Sequence, residues 1–358
     1  MQLIKKSSPL LYWFVIAGAA IFFFIKNNAN WDIIAYTACI KQIEARHAKP
    51  EKIHQETYDV LKKELPEASF NKLIDTSINY RSRAFSDANF FNEQLCFYRV
   101  KPGFNVINFL FSKVTGSYSK GIALTSVVGW LLIAVLIPLW LKKSTAPSWV
   151  HPLSLLILFL PFMIEGARTA APDMLSSAML LWAYYALFSE KPLPAMLLAV
   201  FSIFIRPDNN LVAGLLIAFV WIEFAIHNVR VQAIGGLLLA AVITLWLIPL
   251  CGGRQTVSAL YEGGYLSRIK DGIRTINESF IPIMFVFAGM LFASGHFSLD
   301  GRAGRLALLL LVIATVKFFV IPSLENRFFI FFIVGMMILS AIALTQHKLP
   351  ASKPHEQA

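Results

Sequence analysis

Charge is scarce in this sequence. Asp, Glu, Lys and Arg make up 15% of its 358 residues, which excludes an ordinary soluble domain. Hydrophobic residues reach 57% and 30 positions are Phe, more apolar surface than a water-soluble core can hide. Cysteine is scarce too: there are three, Cys39, Cys96 and Cys251. An odd number cannot all pair within the chain, so a Cys39–Cys96 bridge and three packing thiols both stay open. His47 and His54 share one stretch but lack metal-ligand spacing. No Walker loop, Rossmann glycine fingerprint, zinc motif or nucleophile elbow occurs, so no nucleotide, zinc or serine-hydrolase signature is present. There is no repeat of fixed period and no low-complexity tract.

What is present is a series of apolar runs. A spanning helix needs about 20 apolar residues, fewer where helices are broken around a cavity. On that measure about ten segments stand out, at roughly 10–25, 121–141, 151–165, 173–188, 193–205, 209–226, 232–250, 281–293, 306–321 and 328–345. The first is preceded by Lys5 and Lys6 and followed by no small-residue cleavage site, so it is expected to act as a signal anchor. With the N-terminus in the cytoplasm, Lys142, Lys143, Lys191, Arg230, Arg302, Arg305, Lys348 and Lys353 fall in inner loops, as the positive-inside rule asks. The net charge of +11 is therefore read as membrane topology and contact with an anionic bilayer surface, not as nucleic-acid binding. The expected fold is an all-α polytopic membrane protein. Residues 1–350 form one membrane-embedded domain, 26–120 its long, partly helical first outer loop, and 351–358 a frayed tail.

That outer loop has internal pattern. Trp31 to Ala45 carries Ile33, Ile34, Ile40 and Ile43 among polar residues, which predicts a helix lying in the interface. Glu56–Leu65 and Phe70–Ile78 are further amphipathic pieces separated by Pro66, and an aromatic run, Asn89 to Arg99, leads to Lys101-Pro102-Gly103.

Charges at membrane depth are costly, roughly 2.5–3.5 kcal/mol each by insertion scales. Those that remain here, Glu165, Arg168, Asp173, Arg206, Asp208, Lys317, Glu325 and Arg327, all fall at outer segment edges in this topology. Arg168 to Asp173 and Arg206 to Asn210 each place an Arg at a turn and then Pro-Asp as the next helix starts. Helix capping accounts for Asp32, Asp173 and Asp208 equally well. The arginines suit a phosphate or carboxylate ligand, or a structural ion pair. Lys317 could neutralise Glu325 or reach a phosphate. The stretch from Cys251 to Ser279 holds Arg254, Tyr261, Arg268, Lys270 and Arg274, a composition fit for an anionic head group or for an ordinary solvated loop. Asp32 is the candidate base, able to take a proton from an acceptor hydroxyl.

The pattern resembles the GT-C superfamily of polytopic glycosyltransferases. The resemblance rests on Trp31-Asp32-Ile33-Ile34-Ala35-Tyr36 after the first helix and the turns Arg168–Asp173 and Arg206–Asp208. It rests also on Glu325-Asn326-Arg327-Phe328 and on Tyr98-Arg99-Val100-Lys101-Pro102 closing the first loop. It implies a sugar on a polyprenyl phosphate as donor and an inverting transfer on the outer face of the inner (plasma) membrane, with a glycan, lipid or protein acceptor. Asp32 would be the catalytic base. Arg206, Arg327, Lys317 and Arg254 would bind the donor phosphate. Arg168, Asp173, Asp208, Glu325, Tyr36 and Lys101 would bind the acceptor or support the site. The paired acidic motif of the protein O-mannosyltransferases is absent, so no metal ligands are assigned and a divalent ion stays open as a cofactor. A lipid-linked-substrate transporter and a polysaccharide polymerase or ligase are the competing expectations.

Overall fold

The computed structural model describes residues 2–75, 77–143, 147–224, 227–247, 265–274, 278–320 and 322–346. Arg254, Cys251 and the tail 351–358 lie outside them. Among the described residues the chain is helical, and its one isolated β-bridge pairs Asn28 with Thr169.

Each expected apolar segment falls on a helix. These are α1 (Gln2–Ile25) and then, beyond the polar stretch described below, α9 (Tyr118–Leu141), α10 (Pro147–Leu158), α11 (Pro161–Arg168), α12 (Asp173–Phe188), α13 (Pro192–Ile205) and α14 (Asn209–Glu223). Next come α15 (His227–Leu247), α17 (Ile281–Ala293) and α18 (Arg302–Val320), with α16 (Tyr265–Arg274), a charged helix that is not one of the apolar segments, lying between α15 and α17 in the chain. A 3-10 turn, Asn326–Phe329, leads into α19 (Ile330–Gln346). Among the described residues, four helical runs are long and apolar enough to cross a membrane: Tyr118–Leu141, Asn228–Leu247, Arg302–Val320 and Asn326–Thr345. The segment expected at 151–165 is not one straight helix. It divides into α10 and α11, bent by 62°, because Pro161 opens α11 and forces Leu160 into extended backbone (φ −61°, ψ 144°). Pro9–Ile25, Pro192–Ile205, Asn209–Glu223 and Ile281–Ala293 are shorter apolar helices.

In the bundle, α9 and α12 pack side by side, α13, α14 and α15 pack on one another, and α19 is held between α12, α17 and α18. One apolar core runs through it, from Tyr12 and Phe23 of α1 through Trp130 and Trp140 of α9 to Phe331 and Phe332 of α19. The side chains left outside are also apolar, among them Phe14, Phe22, Leu238, Trp246 and Val286. That is the surface a bilayer, and not water, would solvate.

The polar stretch folds as a helical cap over one end of the bundle. It comprises α2 (Asp32–Glu44), α3 (Pro50–Glu64), α4 (Glu67–Leu73), α5 (Asn79–Ser86), α6 (Ala88–Gln94), α7 (Cys96–Arg99) and α8 (Pro102–Thr115). A second core lies inside it and is closed from below by Ile122, Ala170, Leu175 and Ile205 of the bundle. The interfacial role expected of α2 is not what the helix does. Its residues Ile33 to Ile40 are buried all round the helix, so α2 is the axis of the cap. An apolar outer face is found instead on α8, which exposes Val106, Leu110 and Val114 at a spacing of four. Cys39 is free and buried while Cys96 is disulfide-bonded, so the Cys39–Cys96 bridge does not form. Burial pushes the Cys39 thiol up to about 12, and it packs as a small hydrophobe.

Candidate active site at the seam of cap and bundle

The seam is set by the chain leaving α1. Asn28 donates its backbone N–H to the carbonyl of Arg168 at 2.8 Å. Arg168 answers with Nε to the Lys26 carbonyl at 2.7 Å and Nη2 to Asn28 Oδ1 at 3.1 Å. Its guanidinium is used as a staple between the end of α11 and the approach to α2. That staple delivers Asp32 to the boundary between the two cores.

Asp32 is the first residue of α2, after the N-cap position Trp31, and its side chain is bonded to other side chains, not to the helix's own N–H groups. Its carboxylate accepts from Tyr98 Oη at 2.8 Å and from Asn30 Nδ2 at 3.1 Å. Below it, Lys101 Nζ donates to Tyr36 Oη at 2.9 Å and lies over the rings of Tyr36 and Tyr98, 5.3 and 5.0 Å from their centroids. Burial pushes the Lys101 ammonium down to about 8, against the attraction of Asp32. Burial and then the charge of Asp32 hold the Tyr98 and Tyr36 hydroxyls well above the usual phenol range, so Tyr98 stays a donor to the carboxylate.

A second cluster adjoins this one. Arg206 forms ion pairs with Asp173 and, through Nε at 2.9 Å, with Asp208. The other oxygen of Asp208 meets Lys317 Nζ at 3.0 Å. Asp208 is the N-cap residue of α14 but makes no side-chain capping bond, and Asp173 follows the N-cap Pro172 in the first turn of α12. Burial would raise the Asp208 carboxyl, but Arg206 and Lys317 hold it far below the usual range. Lys317 is thus partnered by Asp208 and not by Glu325, and Glu325 is taken by Arg327 at 2.6 Å. Arg206 and Arg327 sit over the Phe328 ring at 4.9 and 4.7 Å. The two clusters share one field: the charges of Arg206 and Asp208 both act on Lys101, and that of Arg206 acts on Tyr36.

The second cluster meets, at Asp173, a cavity of about 320 Å³ whose lining also includes Glu165, Glu278, Glu325 and Arg327, with Phe162 and Leu324 as apolar walls; Asp32 is not among its lining residues. Among the described residues no three His, Cys, Asp or Glu converge to hold a metal ion.

The site residues expected from sequence therefore separate. Asp32, Tyr36 and Lys101 come together, and so do Asp173, Arg206, Asp208 and Lys317. Arg327 and Glu325 stand at the cavity, Arg168 acts as a staple, and Arg254 lies outside the described residues. Two arginine-type expectations change in physical content. Arg206 and Lys317 are matched charge for charge by Asp173 and Asp208, so they are not free cations awaiting a phosphate. Arg327 is also ion-paired, with Glu325, but 40% of its side chain is exposed, and it is the cation in the cavity lining that can turn to an incoming anion. From sequence, Tyr98 enters only as the start of the segment closing the first loop, and neither it nor Asn30 is assigned the task of orienting Asp32. Tyr98 stands 66 positions away, and no local spacing links it to that carboxylate. Chemically, the arrangement offers an oriented carboxylate, a buried ammonium close to neutrality and an exposed guanidinium beside a cavity. Comparison with protein-family models, with curated proteins and with solved structures gives no match.

Proposed function

We propose that the protein is a membrane glycosyltransferase of GT-C type, moving a sugar from a polyprenyl phosphate to an acceptor hydroxyl. All ten apolar segments then cross or enter the inner (plasma) membrane, the short basic loops face the cytoplasm, and the cap and its seam face outward. The observation that carries this reading is Asp32. Its carboxylate is aimed by Tyr98 and Asn30 and not used as a helix cap, and each oxygen keeps a further lone pair for an acceptor proton.

In the step proposed, the acceptor hydroxyl gives its proton to Asp32 while its oxygen bonds to the anomeric carbon. The bond from that carbon to the phosphate oxygen breaks, and the lipid phosphate leaves with the electron pair. Arg327 meets the charge that develops there. Arg206, Asp173, Asp208 and Lys317 hold the turns that carry the site and supply a fixed field. The cavity walls, rich in carboxylates, suit the hydroxyls of a sugar as hydrogen-bond donors.

The test is transfer by the purified protein from a panel of polyprenyl-phosphate sugars, read by mass spectrometry as new acceptor mass and released lipid phosphate. Transfer that depends on Asp32 is the expected result. Absence of transfer from every donor, alongside donor movement between leaflets in proteoliposomes, would replace this reading with the transporter.

A further inference from the structure

A second cavity, of about 440 Å³, lies where α1 ends. Its lining includes Lys26 and Asn27 just after α1, Glu64 at the end of α3, Ser69 in α4, and Ser119, Lys120 and Arg168. Its acid is already engaged. Glu64 accepts the backbone N–H groups of Tyr118 and Ser119 at 2.9 and 2.8 Å and the Ser117 hydroxyl at 2.7 Å. It therefore closes the N-terminus of α9 and offsets that helix dipole. The three cations are not matched in this way: among the described residues Lys26, Lys120 and Arg168 form no ion pair with a carboxylate. The donors of Arg168 go to uncharged oxygens, so its charge stays available to the cavity.

The position of this cradle decides what kind of anion it suits. It opens directly past the last turn of α1, whose Ile21, Phe22 and Ile25 are 60%, 52% and 66% exposed. An apolar stripe of that kind is solvated by acyl chains, and the residues just beyond it lie at the depth of the lipid phosphates. Long lysine side chains at this level reach towards head groups. Ser69, Ser119 and Asn27 add neutral hydrogen-bonding groups to the lining, which suits a hydroxylated head group as well as its phosphate.

We propose that the Lys26–Lys120–Arg168 cavity is a binding site for the phosphate head group of an anionic phospholipid, seated with its acyl chains along α1. It shares no lining residue with the cavity at Arg327 and does not depend on the reaction proposed there. Because Arg168 also staples Asn28, a bound head group would brace the approach to α2.

The test uses the full-length protein in nanodiscs made of phosphatidylcholine with a minor fraction of phosphatidylglycerol, followed by native mass spectrometry of retained lipid. One phosphatidylglycerol per protein should be retained in preference to phosphatidylcholine. Lys26→Gln/Lys120→Gln should weaken that retention about thirtyfold, from roughly 1 kcal/mol for each basic residue at a membrane surface. Lys26→Arg/Lys120→Arg should restore it, and Arg168 is left in place so that the fold is kept. Millimolar inorganic phosphate should leave the lipid bound. Equal retention of the two lipids, or undiminished retention in the Gln variant, would overturn the proposal. Displacement by inorganic phosphate would overturn the lipid as the source of the anion.

Discussion

At the scale of single residues, Asp32 and Lys101 make the sharpest predictions. Asn caps a helix about as well as Asp, and Asp32 is not used as a cap. Asp32→Asn should therefore leave expression and thermal unfolding nearly unchanged. It should lower sugar transfer about 10²–10⁴-fold, the usual cost of losing a general base. Transfer at the native rate in a folded Asp32→Asn protein would sink the assignment. Lys101 predicts a pH dependence. Its ammonium is held down to about 8 in the fold against an ordinary 10.5, so the unfolded chain holds that proton more tightly. Stability should then rise as pH climbs from about 8 towards the ordinary lysine range, the sign that a depressed lysine requires. The charge that Lys101 lends to the seam is lost over the same interval. Turnover should fall as pH passes about 8, and Lys101→Arg, which stays charged, should remove that limb from the pH–rate profile. A limb that persists in the Arg variant would assign it to another group.

At the scale of elements, the chain of charges from Asp173 through Arg206 and Asp208 to Lys317 ties α12, the turn before α14 and α18 together. Only 11% of the Arg206 side chain is exposed. Arg206→Ala leaves two carboxylates facing one lysine, and breaking a buried pair in this way costs about 3–5 kcal/mol. A clear drop in thermal stability should precede any change in donor affinity. Arg206→Lys should fail to rescue, because Nε and Nη1 serve different carboxylates and an ammonium has no such fork. The α9–α12 crossing makes a separate prediction. A Cβ at Gly129 would stand 2.6 Å from the Leu175 backbone nitrogen and 2.8 Å from the Met174 carbonyl carbon. Backbone cannot yield as a side-chain tip can, so Gly129→Ala should separate the helices and cost about 1–3 kcal/mol. Unaltered unfolding temperature in that variant would mean that the crossing is looser than drawn.

At the scale of the whole molecule, α9 starts beneath the cap at Tyr118 and Ile122 and runs 24 residues to Leu141, so Lys143 lies at the other end of that helix. Single cysteines placed at Lys63 in the cap and at Lys143 after α9 should therefore react with an impermeant maleimide from opposite sides of the membrane. Lys63 and Lys143 are both exposed, while Cys39 is buried and Cys96 is bonded, which keeps their background low. Labelling of both new cysteines from one side would overturn the orientation, and the outward-facing site with it.

Composition and apolar periodicity alone determined that this chain is helical and rich in membrane-length segments, because an apolar run must both bury its backbone polar groups and avoid water. The same reading placed the acidic and basic residues at the ends of those segments, since charge is expelled from the apolar interior. Even the break before α11 was legible in Pro161, although the length of the run favoured one helix. Tertiary structure alone decided which charge meets which. Asp32 meets Tyr98, Lys317 meets Asp208, and Arg206 is divided between Asp173 and Asp208. These partners are brought together by the stacking of separate helices, and no local spacing encodes that. The burial of α2 is of the same kind. Isoleucines among polar residues suit an interfacial helix, but the cap folded around α2 buries Ile33 to Ile40 on every side.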